Sequence, residues 1–374
     1  MNAPSVLEFF AGGGLARLGL EGWRTCFAND IDPVKARAYA ANFGPDRLVQ
    51  ADIWSLGVED LPAEVADLAW ASSPCQDLSL AGARGGLSAR RSGAFWGFWR
   101  LIEALDAEGR APRLIVIENV VGLLTSRGGE DFHGLCDLLA SRGWRFGALE
   151  MDAAHWLPQS RPRLFVVATR DEGGPAASGP CGPFHSRGVV AAWERLSEPA
   201  RAAWRWWRLP TPSLRNTNLA AVLETDLDAG WFDAARTQRL LDLMAPLHRA
   251  RLDGLLATGE RRVGAAYRRV RREAGVRTQR LEARFDGLAG CLRTPAGGSS
   301  RQFVIVVENG EVRARLLTAR EALRLMGVPD AYAVPGSTGG ALKLAGDGVA
   351  VPVVRALSDG LLLPLLGRSK KAAA

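Results

Sequence analysis

The sequence predicts an α/β protein: a mostly parallel sheet flanked by helices, with a second, smaller domain of different character. Three observations carry that prediction. Short apolar runs alternate with helix-spaced apolar positions through the first 170 residues, the pattern of strands buried on both faces. After Arg170 the pattern breaks at a Gly/Pro/Ser-rich connector, Asp171–Pro183. The 374 residues are about two and a half times the usual domain length, so two domains are expected. The first is expected over residues 1–175, completed by a C-terminal helix within 340–367. The second is expected over 176–335, with a tail at 368–374.

In chain order, Val6–Phe9, Arg24–Ala28, Asp67–Ala71, Leu114–Ile117, Phe146–Glu150 and Leu164–Ala168 read as strands of the sheet. Between them Phe95, Phe98, Trp99, Ile102 and Leu105 recur at the spacing of a helix face. Beyond the connector comes a Trp-rich stretch (Trp193, Trp204, Trp206, Trp207), of which the last three read as core of the smaller domain in preference to a base-stacking surface, and Asp233–Leu255 reads as helix. Phe303–Val307 and Glu311–Arg315 flank Asn309-Gly310, a hairpin signature. Thr318 and Glu321 form a capping box that opens a short helix to Met326. Gly346–Leu363 reads as a loop followed by a final helix, and the end from Leu366 as frayed.

Composition narrows the class. Hydrophobic residues make up 47% and charged residues 23%, which excludes a mainly disordered or fibrous chain. No continuous apolar run reaches the roughly 18 residues of a membrane span, and Met1-Asn2-Ala3-Pro4 lacks a basic leader opening. The five cysteines include no CxxC pair and the four histidines are scattered, so no metal is expected and the cytoplasm is the expected compartment. Net charge is +7. Residues 1–170 are net −3, residues 171–300 net +6 and residues 301–374 net +4, and Glu260–Arg284 alone holds nine Arg against three Glu. An acidic first part joined to a basic later part suggests chemistry in one and a nucleic-acid platform in the other. Arg-heavy composition from GC-rich coding would give the same surplus.

In a parallel sheet ligands bind beyond the carboxyl ends of the strands. After the first strand comes Phe10-Ala-Gly12-Gly-Gly14, a turn whose glycines let backbone approach a ligand. The next two strand ends offer Asn29-Asp30-Ile31 and Ala51-Asp52-Ile53, an acid for ribose hydroxyls and an acid for an adenine amine beside an apolar wall. NAD(H) and S-adenosylmethionine both satisfy these three. The fourth strand end carries Ser73-Pro74-Cys75-Gln76, the fifth Glu118-Asn119-Val120, and the last strand is preceded by Gln159-Ser-Arg161-Pro-Arg163. Thiol, carboxylate and arginines on one rim are hard to explain by packing, and a dehydrogenase would leave Pro74-Cys75-Gln76 and the arginines without purpose.

The series FAGGG, ND, ADI, SPCQDLS, ENV and QSRPR, in this order and spacing, resembles the DNA (cytosine-5) methyltransferase family. Thr318–Glu321 with Met326–Asp330, and Gly346-Asp-Gly-Val349, resemble its late motifs. The likeness touches most of residues 5–170 and 315–360. It implies the S-adenosylmethionine-dependent, Rossmann-like methyltransferase fold with a target-recognition domain over 176–335. It also implies double-stranded DNA as substrate, in a restriction–modification pair with a separate endonuclease or as a solitary enzyme. Cys75 would attack C6 of a flipped-out cytosine, Glu118 would hold a proton at N3 with a raised pKa, and Arg163 with Arg161 would fix Glu118 and the pyrimidine carbonyl. Phe10, Gly12, Gly14, Asp30, Ile31, Asp52 and Ile53 would hold the cofactor, with Pro74 and Val349 lining its methionine end. Gln76, Ser79 and the Gly-rich loop Thr294–Arg301 would meet DNA. The likeness departs from the family pattern at Leu15 for Gly, Ser73 for Phe and Asp347 for Asn. A tRNA substrate and a DNA-binding module without turnover are the other readings.

Overall fold

The structure is a computed structural model that describes residues 2–74, 93–224, 230–273, 275–294, 301–334 and 336–368. Two compact units divide the chain: residues 1–152, 162–212 and 351–374 form one, residues 153–161 and 213–350 the other.

The first unit is built on a seven-stranded sheet. Its strands are β1 (Ser5–Phe9), β2 (Arg24–Asp30), β3 (Leu48–Gln50), β4 (Leu68–Ala71), β5 (Leu114–Val120), β6 (Arg145–Asp152) and β7 (Pro162–Thr169). Their spatial order is β3-β2-β1-β4-β5-β7-β6. All pairings are parallel except those of β7, which runs antiparallel to both β5 and β6. Each predicted strand is present; β3, expected only from the strand end at Ala51-Asp52-Ile53 and without bounds, is three residues on an edge with no apolar run of its own.

Helices α1 (Leu15–Gly19), α2 (Pro33–Phe43), α3 (Ala94–Ala107) and α4 (Glu130–Ser141) connect the strands. Helix α2 starts where Asp32 accepts from the N–H groups of Val34 and Lys35, with Pro33 at the first helical position. Helix α3 buries Phe95, Phe98, Trp99, Ile102 and Leu105, the face read from the sequence. Cys136 lies fully buried on α4.

Helices α5 (Arg187–Trp193) and α6 (Glu198–Ala203) and the two-residue strands β8 (Ala176–Ala177) and β9 (Trp206–Trp207) also belong to this unit. The tryptophans therefore pack the sheet and not the smaller domain. Trp207 donates from Nε1 to the carbonyl of Val167 at 2.9 Å, and Trp204 meets the Phe146 ring edge-on at 5.7 Å.

In the second unit, α7 (Ala234–Leu241) and α8 (Pro246–Thr258) divide the predicted helix at Pro246, which cannot donate to a preceding turn. The Arg-rich stretch forms two long strands, β10 (Arg262–Glu273) and β11 (Val276–Arg284). They join β12 (Phe303–Glu308) and β13 (Glu311–Leu316) in an antiparallel sheet of order β11-β10-β12-β13. Asn309 and Gly310 both have positive φ, 52° and 79°, as a tight hairpin turn requires. Leu240, Leu241, Met244, Leu252, Leu281, Phe303 and Ile305 form the core.

Helix α9 (Ala319–Arg324) carries the predicted capping box, with Thr318 Oγ1 accepting from Glu321 N and the Glu321 carboxylate accepting from Thr318 N. Helix α10 (Thr338–Asp347), whose three glycines hide it from periodicity, ends where the loop from Gly346 was expected to begin; Ser337 caps its start. Helix α11 (Val351–Leu357) and the short α12 (Leu363–Leu365) return to the first unit, where Trp23 Nε1 donates to Ser358 Oγ at 2.8 Å. By length and composition alone the stretch Thr338–Leu365 is apolar enough to cross a membrane, but 61% of its most apolar window is buried within the protein.

Candidate active site

The glycine turn after β1 is a strained junction. Phe10 takes φ 57°, a left-handed conformation that costs a bulky side chain roughly 1–3 kcal/mol. Gly12 follows at φ 58°, with no atom closer than Lys35 Cδ at 4.0 Å from where a Cβ would stand. Gly14 has a packing reason: a Cβ there would lie 2.3 Å from the Phe43 ring. Leu15, in place of the family's glycine, simply begins α1 and is buried. Beneath the turn, Glu8 is fully buried and accepts from Tyr39 Oη at 3.3 Å. Burial pushes its carboxyl up to about 8, against the opposing pull of Arg17.

Asp30, at the end of β2, is buried and accepts from the Gly12 N–H at 2.8 Å, so the acid and the glycine turn are one piece. Asp32 N donates to its other oxygen at 2.8 Å. Asn29, which sequence reasoning left without a task, donates from Nδ2 to the carbonyls of Val49 and Ala51 and so fixes the end of β3. There Asp52 caps a short turn through Trp54 N. Ile53 is turned into the core with 4% exposure. The exposed apolar surface beside the two acids comes instead from Ile31, 64% exposed, and from Trp54, an indole the sequence reading missed. Open space over Gly12, a buried acid tied to it, and apolar side chains at the next strand ends suit an adenosine-bearing ligand.

At the end of β4, Ser73 is buried and Pro74 exposed. Asn119 Nδ2 donates to the Ser73 carbonyl at 3.2 Å, which anchors the backbone that leads to Cys75. Cys75, Gln76 and Ser79 themselves lie outside the described residues. Ser73 Oγ, where the family carries Phe, is buried with no hydrogen-bond partner among the described residues. The thiols of Cys26 and Cys136 are pushed up by burial, the former to about 11, which makes both poor nucleophiles.

Glu118 ends β5 with its side chain 9% exposed, and Arg163 Nε lies 3.4 Å from Glu118 Oε1. The pair is possible because β7 runs opposite to β5, with Val120 opposite Arg163, so β7 begins at the rim where β5 ends.

The remaining expected residues belong to the second unit. Arg161 has partners other than those expected of it. Its guanidinium is buried and donates to the carbonyls of Leu292, Gly346 and Gly348 at 2.9, 2.8 and 2.6 Å, and lies 3.4 Å from Cys291 Sγ. Those N–H groups donate to main chain. Val349 is buried. Thr294 Oγ1 donates to Asp347 Oδ1, which gives the departing carboxylate a partner. Arg301 is half-buried, and residues 295–300 of its loop lie outside the described residues.

A groove of about 450 Å3 runs over β10, lined by Tyr267, Arg268, Arg269, Val270, Arg271, Gly290, Cys291, Arg293 and Gln302. Glu282 faces two of its arginines, 3.6 Å from Arg269 and hydrogen-bonded by Arg271. Arg268 and Arg293 have no carboxylate partner among the described residues, and Arg268 lies over the Phe303 ring at 5.3 Å. Such a surface suits a polyanion. Among the described residues no three His, Cys, Asp or Glu gather as a metal site would need.

Comparison with known proteins agrees with this geometry. The family model described as C-5 cytosine-specific DNA methylase matches residues 5–190 and 257–362. The chain is 25% identical to the type II methyltransferase M1.ScrFI of Lactococcus lactis subsp. cremoris, over 98% of this chain and 79% of that protein. It is 25% identical to the type II methyltransferase M.HaeII of Haemophilus aegyptius, over 99% and 96%. Among solved structures, the S. pombe Dnmt2 methyltransferase superposes with a TM-score of 0.57 at 18% identity, covering 95% of this chain and 97% of that one. The fold is the Rossmann-like methyltransferase sheet with an added antiparallel domain.

Proposed function

The chain belongs to the C-5 cytosine-specific DNA methylase family, and from that membership we propose that it methylates C5 of a cytosine flipped out of double-stranded DNA. S-adenosylmethionine is the methyl donor, a short base sequence is the target, and the setting is restriction–modification in the cytoplasm beside a separate endonuclease. The observation that carries the reading is the Glu118–Arg163 pair, placed on the rim where Asn119 anchors the approach to Cys75.

Asp30, Asp52 and the Gly12 turn would hold the donor, with Ile31 and Trp54 as its apolar neighbours; Pro74 and Val349 remain candidates for the methionine end. Bound there, S-adenosylmethionine would supply its methyl group to C5 of the activated ring, its sulfonium leaving as a neutral thioether. Cys75 as thiolate adds to C6 of the cytosine, and the electron density that results resides on C5 and N3. Glu118 holds a proton at N3, so the ring accepts the thiolate without carrying a full negative charge. Arg163 keeps the Glu118 carboxyl oriented and offers a donor to the pyrimidine carbonyl. Loss of the C5 proton, with water as the acceptor, expels Cys75 and restores the aromatic ring. C5 and C6 are closed off in a stacked duplex, so the base must leave the helix first. The arginines of the β10 groove favour DNA phosphates as the surface that holds the duplex meanwhile.

Base-resolution methylation sequencing of DNA from a methylation-free host expressing the chain, beside the Cys75→Ala variant, tests the reading. The expected result is 5-methylcytosine at one position of a short recurring motif, absent with the variant. Unmodified DNA from a folded protein that binds the donor would overturn it, in favour of a tRNA substrate or a DNA-binding role without turnover.

A further inference from the structure

Three segments of the second unit meet around one buried guanidinium, and a fourth is joined through Gln159. Arg161 is 2% exposed, and a charge so placed is stable only if its donors are met. Its two terminal nitrogens are met by main-chain oxygens: Leu292 on one segment, Gly346 and Gly348 on another. Gln159, fully buried two residues earlier, adds to both sides of the junction. Its Oε1 accepts from Leu292 N at 3.1 Å and its Nε2 donates to the Leu325 carbonyl at 2.6 Å. The segments that Arg161 joins also touch directly. A Cβ on Gly346 would stand 2.4 Å from Thr294 N and 2.6 Å from the Arg293 carbonyl carbon, so the end of α10 lies backbone against backbone on residues 293–294. Thr294 Oγ1 then donates to Asp347.

We propose that Arg161 is a positioning residue that holds the segments Cys291–Thr294 and Gly346–Val349 as one piece, and that it does not touch the base. The proposal rests on the methyltransferase reading in one respect: that reading gives the first segment to DNA and the second, through Val349, to the methyl donor. A guanidinium is suited to the task because its planar fork reaches several acceptors at fixed angles, which an ammonium on a flexible stem does not. Asp347 has a part in the same junction. The carboxylate that stands where the family carries an amide accepts the Thr294 hydroxyl, so the departure is matched by its partner. Binding at one segment is then felt at the other, since neither shifts without breaking hydrogen bonds to Arg161.

Hydrogen–deuterium exchange on the chain without ligands reads the junction directly, in Arg161→Lys, Arg161→Met and the milder Asp347→Ala, each with a melting curve. Both arginine variants should raise amide exchange in 291–294 and in 346–350 together, by tenfold or more, while the β1–β7 sheet keeps its protection. Asp347→Ala should raise the same two segments by a smaller factor. Binding of S-adenosylhomocysteine should weaken at least tenfold in Arg161→Met, and the single-turnover rate at saturating donor and DNA should fall by less than tenfold. Unchanged exchange in both segments, or exchange raised in only one, would overturn the proposal. So would donor affinity kept intact while the saturated single-turnover rate collapses a hundredfold, the signature of a group acting on the base. If Arg161→Met fails to fold, Arg161→Lys and Asp347→Ala decide by the same exchange pattern. Exchange and donor binding need no turnover, so a wild-type chain that fails to methylate DNA would sink the functional reading and leave this test standing.

Discussion

Arg163 and Glu118 face each other from antiparallel strands, Nε to Oε1 at 3.4 Å, both side chains largely withdrawn from solvent. Arg161 stands only two positions before Arg163, yet it donates its protons to main-chain carbonyls of the second unit. The same motif thus gives its two arginines different partners, a carboxylate for Arg163 and main-chain carbonyls for Arg161.

Arg163→Lys is expected to lower the single-turnover methyl-transfer rate by about a hundredfold, the usual scale for losing one oriented donor in a preorganised site. Donor affinity, measured by calorimetry, should stay within a factor of about two or three, because Arg163 is not among the residues proposed to hold it. A matching loss of donor affinity would move Arg163 out of the base pocket.

Glu8 sets a pH dependence. The unfolded chain releases this proton near 4.5, whereas the folded protein holds it until about 8. Between these values the folded state binds more protons, so stability falls as pH rises through that window and is level on either side. Glu8→Gln should flatten the melting temperature between pH 5 and pH 8 and raise it at the alkaline end. The gain there is on the order of 4 kcal/mol. A variant whose melting curve keeps the wild-type slope would show that Glu8 is not the group responsible.

The second unit contains a closed ion pair. Arg315 donates to both Glu321 oxygens at 2.7 and 2.5 Å, with side chains 2% and 0% exposed. Burial works to raise the Glu321 carboxyl, but Arg315 and the N–H groups of Thr318 and Glu224 outweigh it and hold it below the usual carboxylate range. Glu321→Gln should cost about 3–5 kcal/mol in urea unfolding, since Arg315 is left without a counter-charge. The double variant Arg315→Met with Glu321→Leu should recover much of that loss. Stability from this pair is present above the ordinary carboxylate pKa and is lost as pH falls through the lowered value.

Removing Arg268 and Arg293 together should reduce the slope of log binding constant against log salt by about two, at roughly 0.9 for each phosphate that is no longer neutralised. Measured by fluorescence anisotropy on cognate and random duplexes, the weakening should be similar for both. An unchanged slope would mean that the β10 groove does not meet the DNA backbone.

The sheet was legible because its strands are continuous apolar runs, and the rim because strand ends bear polar residues that packing does not require. The smaller unit was less so. Strands β10 and β11 are legible only as charge, since a two-stranded ribbon with arginines on both faces has no apolar alternation. Helix α10 was hidden by Gly339, Gly340 and Gly346, the last retained for its approach to Thr294. Trp54 and Asn29 escaped notice for opposite reasons: one is an exposed indole with no periodic neighbours, the other a buried amide whose partners are carbonyls. Spacing alone also could not separate Arg161 from Arg163, because two residues along an extended chain put both on one face while their partners lie in different units.

Nearly all the grip that Gln159 and Arg161 exert is on backbone atoms, which every amino acid possesses. Residues 213–350 can therefore diverge in side chain without losing their hold on the nine-residue segment 153–161. Gly346 is the exception, fixed by space rather than by chemistry. A graft that exchanges 213–350 for the equivalent of a relative should keep its seat wherever the donor brings that glycine, so a whole set of side chains could be exchanged by recombination in a single step.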